Sequence, residues 1–427
     1  MARRPTLAPQ PWMIAEPTRA VMAALAPGGE ARFVGGSVRD ALAGRKRIGD
    51  VDIATPSPPE RAMELLAAAN IRAIPTGIEH GTITAVLGDA HFEITTLRRD
   101  VRTFGRHAEV AFTDDWREDA SRRDFTMNAM SLTAAGELFD YFGGEADLAA
   151  GRVRFVGEAS ARVREDVLRI LRFFRFHAHY GKGAPDGEAL AAASAAAALV
   201  PDLSGERVWA ELQRILCAPD PAAALALMEG AGVLAHVLPY RRTEGAGVTR
   251  LAALAEVEAA EGLADTPDAV RRLAAVLRAD ADAAAETAAR LKLSRADRER
   301  LDRLVRRGAS VAPDMSAAEA RREVYRSGAD LFRDLALLSW AGEQAEARDR
   351  HSRRDASAAF SALLEAAHGF APPVFPLSGK NAQAMGLAPG PAMGRALAAV
   401  ENWWIERDFR AGRDELLARL EEEIRKG

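Results

Sequence analysis

The chain has 427 residues with 57 Lys and Arg against 61 Asp and Glu, a formal net charge of −4, and a single cysteine, Cys217. One cysteine excludes an intramolecular disulfide framework and favours a reducing compartment. The sequence contains no apolar run long enough for a bilayer, no Cys/His cluster with zinc spacing, and no apolar segment after the basic N-terminus that would make a signal peptide. We therefore expect a cytoplasmic protein of roughly three domain-sized units, without a membrane partner.

A glycine turn is the first feature that indicates chemistry. Residues 31–34 are mostly apolar and predict a strand, Gly35 and Gly36 predict a turn, and residues 38–40 predict the start of a helix. A Gly-Gly turn lets backbone N–H groups approach a phosphate closely. Arg39 would lie in the first turn of the helix, whose N-terminus favours anions. The segment therefore predicts a phosphate-binding turn.

Two aspartates, Asp50 and Asp52, follow this turn one residue apart. On an extended strand, side chains at i and i+2 point to the same face, so both carboxylates can reach one pair of divalent cations. An isolated Asp-x-Asp is usually a solvated turn. The order of strand, glycine turn, helix and aspartate pair favours metal-assisted phosphoryl or nucleotidyl transfer instead.

A third carboxylate is expected near this pair. After a helix-like stretch at 58–69, three short runs rich in β-branched residues predict strands at 71–74, 82–86 and 91–98. Glu93 falls in the middle of the last strand, on the face opposite its apolar neighbours. It is a candidate third acid, although an exposed edge residue is an equally ordinary assignment.

Residues 98–123 lack clear periodicity and carry charges of both signs, which predicts a solvated surface loop. The stretch ends in the run 121–130, where Asp124 or Thr126 is a candidate cap for a short helix. Arg123 would then lie just outside the helix and be available to a phosphate.

Residues 164–176 predict one amphipathic helix, with Arg169 and Arg172 opposite the apolar stripe and Asp166 and Arg175 at its margins. Asp166 and Arg169 would be neighbours at i and i+3, and such a pair can read the edge of a base. The ordinary alternative is a solvated basic face. Between residues 152 and 182, however, eight Lys or Arg stand against three acids, and this local excess indicates a phosphate-bearing ligand.

Taken together, these motifs resemble those of the class II tRNA nucleotidyltransferase and poly(A) polymerase family, and most closely those of bacterial CCA-adding enzymes. Five motifs occur in the order of the family, at residues 35–40 with 50–52, 77–82, 122–130, 142–148 and 165–169. Weaker similarity continues at residues 204–212, 377–381 and 389–394. Asn381 stands where the tail pattern of the family has an aspartate.

The resemblance implies an α+β head with a palm-like mixed sheet, followed by an all-α neck, body and tail. Helical periodicity and scarce strand-like runs beyond residue 185 agree with this fold. We expect the head at 1–148, the neck at 149–240, the body at 241–345 and the tRNA-binding tail at 346–427. The charged run at 295–307 is expected to be a solvated helix face.

The resemblance also assigns roles to residues. It implies that Asp50 and Asp52 bind Mg²⁺ and that Glu93 is the third catalytic acid. The residues that it implies for nucleotide binding are Gly35, Gly36, Arg39, Arg123, Asp166, Arg169, Arg172 and Arg175. Within that set, Asp166 and Arg169 match the protein template that pairs with the incoming base. The implied substrates are tRNA, CTP and ATP, and DNA is not expected to bind.

Other classes remain as alternatives. A haloacid dehalogenase-type phosphatase needs an apolar strand before its first aspartate, whereas residues 45–49 are basic and end in glycine. A silent RNA-binding module would be expected to lose one of the three acids. A poly(A) polymerase or an A-adding enzyme shares the head, although residues 77–82 resemble the CCA-adding version. A CC-adding enzyme would have a shorter loop after Glu93.

Overall fold

The computed structural model describes residues 6–45, 48–104, 107–238, 246–263, 266–277, 280–308, 310–347 and 350–426. The chain forms two compact units, Met1–Pro239 and Tyr240–Gly427. The first unit combines a mixed sheet with helices, and the described part of the second unit consists of helices and connections. The expected fold class, an α+β head followed by helical regions, is confirmed. The finer division into head, neck, body and tail stays a prediction.

A seven-stranded sheet in the order β3-β4-β5-β2-β1-β8-β9 forms the head. Its strands are β1 Arg32–Val34, β2 Val51–Thr55, β3 Arg72–Gly77, β4 Thr82–Leu87, β5 Ala90–Thr96, β8 Ser131–Leu132 and β9 Leu138–Phe139. Strands β2 and β5 are parallel, and the other neighbours are antiparallel. The predicted strands at 31–34, 71–74, 82–86 and 91–98 are therefore confirmed within two residues at each end, except that β3 continues three residues beyond its predicted end.

The described helices of the first unit surround this sheet and continue beyond it. They are α1 Pro11–Ile14, α2 Glu16–Leu25, α3 Gly36–Leu42, α4 Pro59–Ala68, α5 Trp116–Ser121, α6 Gly144–Ala150, α7 Ala159–Glu165, α8 Arg169–Tyr180, α9 Gly187–Ala195, α10 Gly205–Leu216, α11 Pro221–Gly230 and α12 Leu234–Val237. Short 3-10 turns lie at Ala26–Gly28, Ile78–His80, Thr126–Asn128 and Ala197–Asp202. Helix α4 confirms the helix expected at 58–69.

The sheet fixes the positions of two of the predicted acids, Asp52 and Glu93. Asp52 lies on β2 in register with Glu93 on the parallel strand β5, and opposite Val34 on β1. Glu93 is exposed between two buried apolar residues of β5, Phe92 and Ile94. The predicted alternation along β5 is therefore confirmed, because period-2 burial puts Glu93 on the face away from the core.

The surface loop predicted at 98–123 is wrong. The segment forms a hairpin of β6 Arg98–Phe104 and β7 His107–Phe112, followed by helix α5. Among the described strands, β6 and β7 pair only with each other. Backbone hydrogen bonds hold the two strands of such a ribbon together, and they do not require apolar side chains. The sequence therefore lacks the apolar alternation from which strands are predicted.

The single helix predicted at 164–176 is also wrong. Helix α7 ends at Glu165, Asp166 is extended with φ −149° and ψ 107°, and α8 begins at Arg169. The Asp166 carboxylate accepts a hydrogen bond from the backbone N–H of Leu168 at 3.1 Å. Short acidic side chains compete with helix hydrogen bonds in this way and favour helix ends.

The described part of the second unit is helical. Its helices are α13 Ala246–Ala260, α14 Ala269–Leu277, α15 Ala281–Arg290, α16 Arg295–Arg307, α17 Ala317–Ser327, α18 Ala329–Glu346, α19 Arg350–His368, α20 Gly379–Ala384, α21 Pro391–Glu406 and α22 Arg413–Lys426. Trp404 on α21 is buried in the apolar core formed by the last three helices. Over the described residues, every helix is too short or too polar to cross a membrane.

Candidate active site

A cavity of about 510 Å³ opens in the first unit beside the turn that follows β1. Nine of the eleven predicted site residues line it: Gly35, Gly36, Arg39, Asp52, Arg123, Asp166, Arg169, Arg172 and Arg175. Asp50 and Glu93 are not among its lining residues. Asp50 immediately precedes β2, and Glu93 lies one strand away from Asp52. The fold thus gathers most of the predicted residues around one space.

The glycine turn brings the backbone against the acidic group. Gly35 has φ +70°, a conformation that side chains with a Cβ rarely adopt. A Cβ at this position would lie 3.2 Å from Oδ2 of Asp52 and 3.6 Å from Nη1 of Arg123. The sequence therefore needs glycine here both for the turn and for the close approach of the backbone to these two side chains.

The surroundings of Asp52 disfavour the ionised form of its carboxyl group. Burial, and then repulsion from Glu93 and Asp50, raises the pKa of Asp52 to about 6, although Arg123 acts in the opposite direction. A divalent cation relieves this kind of repulsion between carboxylates. Within the described ranges, no three His, Cys, Asp or Glu side chains lie close enough to hold a metal by themselves. Mg²⁺ commonly takes one or two carboxylates plus substrate phosphates and water, so the oxygen donors at Asp50 and Asp52 fit it.

Six arginines and three aspartates line the cavity, so guanidinium groups are the most numerous charged groups on its wall. An acid holds each arginine. The pairs are Arg39 with Asp40 (3.0 Å), Arg123 with Asp119 (3.3 Å), Arg169 with Glu165 (2.6 Å), Arg172 with Asp124, Arg175 with Glu211 (3.2 Å) and Arg207 with Asp166 (2.8 Å). Anchored guanidinium groups are preorganised donors for an anion. The cavity is therefore suited to a phosphate-bearing ligand.

Asp124 connects two of these arginines. Its carboxylate pairs with Arg172 and accepts a hydrogen bond from the side-chain amide of Asn128 at 2.9 Å. Asn128 in turn accepts one from Nη1 of Arg39 at 2.7 Å. Burial raises the pKa of Asp124, but the charge of Arg172 and these hydrogen bonds outweigh it and hold the pKa below its usual range. Asp124 is therefore an ionised anchor and not a helix cap.

Asp166 and Arg169 line the cavity but do not pair with each other as neighbours on one helix. Two hydrogen bonds from Nη2 of Arg207, at 2.8 and 3.1 Å, hold the Asp166 carboxylate. Arg169 donates to Glu165 at 2.6 Å and to the backbone carbonyl of Arg162 at 3.1 Å. The predicted i, i+3 arrangement is wrong, because the helix breaks between these residues.

The sequence motifs predict no role for Arg207, Asn128 or Asp119, and the helical pattern predicts Arg175 at the margin of a helix. Arg175 is buried against Glu211 of α10. Arg207 lies within the region of weaker family similarity at 204–212, and this position is the sequence feature that could have indicated a role for it. The partners of the cavity arginines lie up to 89 residues away along the chain, as Asn128 does from Arg39, and local sequence patterns do not predict contacts over such separations.

Two family models match parts of the first unit and the residues that follow it. The family described as "Poly A polymerase head domain" matches residues 31–154, and that described as "Probable RNA and SrmB-binding site of polymerase A" matches residues 185–243. Together with the cavity beside the glycine turn, these matches define a nucleotidyltransferase with a polymerase-type head.

Similar proteins and solved structures identify the family within the nucleotidyltransferases to which the chain belongs. CCA tRNA nucleotidyltransferase 1, mitochondrial, from Danio rerio is 35% identical over 409 residues, which are 92% of this chain and 87% of the relative. The CCA-adding enzyme of Geobacillus thermodenitrificans is 40% identical over 53% of this chain and 55% of its own. The crystal structure of the Bacillus stearothermophilus CCA-adding enzyme in complex with CTP matches with a TM-score of 0.73 at 26% identity, over 97% of this chain and 99% of that chain. The chain belongs to the CCA tRNA nucleotidyltransferase family.

Proposed function

We propose that this protein adds C, C and A in turn to the 3′ end of tRNA, using CTP and ATP and releasing pyrophosphate. The observation that carries the proposal is the cavity of anchored arginines beside Asp52. It occurs in a chain that is similar over nearly its whole length to a protein named as a CCA tRNA nucleotidyltransferase.

The nucleotide is bound by its charge. We assign the triphosphate to the glycine turn at Gly35 and Gly36 together with Arg39 and Arg123, all of which line the cavity with Asp52. Arg172 and Arg175 contribute further positive charge on the α8 side. Backbone N–H groups and fixed guanidinium groups are the usual donors to phosphate oxygens.

Base selection is assigned to Asp166 and Arg169. The Asp166 carboxylate accepts from N4 of cytosine or N6 of adenine, and Arg169 donates to the ring acceptor beside that amino group. Guanine and uracil present a carbonyl where the carboxylate needs a donor. An unpaired buried polar group costs about 1–3 kcal/mol, which is a physical route to selection of C and A.

Nucleotidyltransferases of this family generally depend on a divalent metal, and we propose Mg²⁺ held by Asp50 and Asp52. When bound, Mg²⁺ neutralises phosphate charge and makes the primer 3′-hydroxyl more acidic. Glu93, in register with Asp52 on the neighbouring strand, is assigned to orient that hydroxyl for attack on the α-phosphate.

The tRNA is assigned to the helical part of the chain, with residues 241–345 as the body and residues 346–427 as the tail that binds it. A single cysteine fits a reducing compartment, and we propose the cytoplasm. The Danio rerio relative is named as mitochondrial, so fractionation of the source cells is the test of the compartment.

The experiment that tests the activity uses tRNA transcripts that end before, within and after the CC sequence, each with labelled CTP or ATP. We expect C to be added to the first two transcripts and A only after CC. Addition of A alone would indicate an A-adding enzyme, and unlimited A addition a poly(A) polymerase. The Asp50→Ala/Asp52→Ala double variant should add nothing. Near-normal turnover by this variant would overturn the assignment of the site.

A further inference from the structure

We propose that Tyr180 and Asp40 together act as a positioning pair that holds Arg39 in the orientation needed to bind the triphosphate of the incoming nucleotide. This inference rests on the proposed function for the role of Arg39. Neither Tyr180 nor Asp40 lines the cavity, so both act through Arg39.

One carboxylate oxygen joins the three side chains. The Tyr180 hydroxyl, at the last residue of α8, donates to Oδ1 of Asp40 at 2.6 Å. Nε of Arg39 donates to the same Oδ1 at 3.0 Å. Asp40 and Tyr180 are 140 residues apart in sequence. The pair therefore ties helix α3, which carries Arg39, to helix α8, which carries Arg172 and Arg175.

The ring of Tyr180 also contributes. The Arg39 guanidinium lies 4.5 Å from the centroid of this ring and 5.0 Å from that of Phe176, within the range of cation–π attraction. Asn128 takes a hydrogen bond from Nη1 at 2.7 Å. A guanidinium has five N–H groups, so Arg39 retains donors for an oxygen in the cavity that it lines.

Tyr180 remains a donor over the pH range in which an enzyme works. Burial is the main cause that raises the pKa of Tyr180 to about 12. The hydroxyl therefore keeps its proton and its hydrogen bond to Asp40. An ordered Asp40 lets Arg39 meet the triphosphate without first losing side-chain freedom, which is a cost of binding.

Tyr180→Phe is the sharpest variant, because it removes the hydroxyl and keeps the ring. We expect KM for CTP and for ATP to rise about three- to tenfold, with kcat within about twofold and KM for tRNA unchanged. Inhibition by pyrophosphate should weaken by the same factor. The matched control is Tyr141→Phe, whose hydroxyl lies 3.4 Å from Nη1 of Arg32 outside the cavity; its KM values should not change.

A double-mutant cycle separates positioning from general damage. Equilibrium binding of CTP is measured for the wild type, Tyr180→Phe, Arg39→Ala and the double variant, each first checked for an unchanged melting temperature. We expect Tyr180→Phe to weaken binding in the wild type and to add nothing in the Arg39→Ala background. An equal loss in both backgrounds, or no loss in either, would overturn the inference. Because CTP binding needs no tRNA, a failure of CCA addition would be seen separately in the incorporation assay.

Discussion

Asp52 is the site residue whose burial lowers the stability of the folded protein at neutral pH. The pKa of its carboxyl, raised to about 6 by burial and by Glu93, means that the ionised form is disfavoured in the folded protein. A carboxyl with a raised pKa binds its proton more tightly in the folded protein than in the unfolded chain. Its contribution to the free energy of unfolding is therefore complete below the ordinary pKa and is lost as the pH rises through about 6. The metal-free protein therefore carries an unfavourable charge at neutral pH.

Asp52→Asn should accordingly stabilise the metal-free protein while abolishing nucleotide incorporation. We expect a gain of about 1–2 kcal/mol at pH 8, after allowance for solvent screening, and a smaller gain at pH 4.5. Thermal unfolding in EDTA at the two pH values measures it. Glu60→Gln, an exposed carboxyl on α4, is the control. A variant less stable than the wild type at pH 8 would contradict the account of Asp52.

Base selection is a second prediction at this scale. Asp166→Ala should lower kcat/KM for CTP and ATP about ten- to a hundredfold relative to UTP and GTP, since a hydrogen bond to a charged group is worth about 1.5–3 kcal/mol. Arg207→Ala should shift the same preference in the same direction, because Arg207 holds Asp166. Asp302→Ala, in an exposed pair with Arg306, is the control. An unchanged preference in Asp166→Ala would leave Asp166 as a structural ion pair.

The residues that sequence could place are those whose positions depend on local geometry. Alternation along β5 puts Glu93 on the exposed face, and the glycine turn lies against Asp52. The partners that hold the arginines could not be predicted. Arg172 finds Asp124 48 residues away, and Arg207 finds Asp166 41 residues away. Such distances are set by the packing of helices.

At the scale of elements, the β6–β7 hairpin is the main departure from expectation. A two-stranded ribbon is marginally stable in isolation, and among the described strands β6 and β7 pair with no strand of the seven-stranded sheet. The break at Asp166 is the other departure. There, local side-chain hydrogen bonding overrode a sequence pattern that fits a continuous helix.

Shortening the hairpin tests whether it takes part in the change from C to A addition. Replacement of residues 101–109 by Asn-Gly would leave a two-residue turn between the paired Asp100 and Val110. If the hairpin moves as the pocket exchanges cytosine for adenine, the final A step should slow at least about tenfold while the two C steps stay within about twofold. Single-turnover assays on tRNA ending before and after CC measure both. An equal loss of both steps would make the hairpin a structural element only.

At the scale of the whole molecule, a network of buried ion pairs connects helices of the second unit. In the second unit, Glu258 is fully buried between Arg271 (2.6 Å) and Arg272 (2.8 Å). Arg271 also pairs with Asp334 at 2.9 Å, and Asp334 pairs in addition with Arg300 at 2.6 Å. The charged run at 295–307 was expected to be a solvated face. Arg295 is exposed, as expected for such a face. Arg300 instead pairs with Asp334 of α18 and belongs to the network.

Glu258→Gln should destabilise the protein strongly, by about 3–5 kcal/mol, because it removes the negative charge that the buried guanidinium groups of Arg271 and Arg272 share. Glu299→Gln, which removes the partner of the exposed Arg295, should cost less than about 0.5 kcal/mol. Urea unfolding of both variants provides the comparison. Similar free energies of unfolding for the two variants would mean that the buried network contributes little to the fold.

The central claim, that this chain builds CCA on tRNA without a nucleic-acid template, is tested most directly by the mass of the product. A tRNA lacking its last three nucleotides is incubated with the protein, Mg²⁺ and all four nucleoside triphosphates, and the intact RNA is weighed by mass spectrometry. We predict a single product heavier by two cytidylates and one adenylate, and none with Asp52→Asn. A ladder of adenylates, incorporation of U or G at comparable yield, or an unextended tRNA would contradict the account.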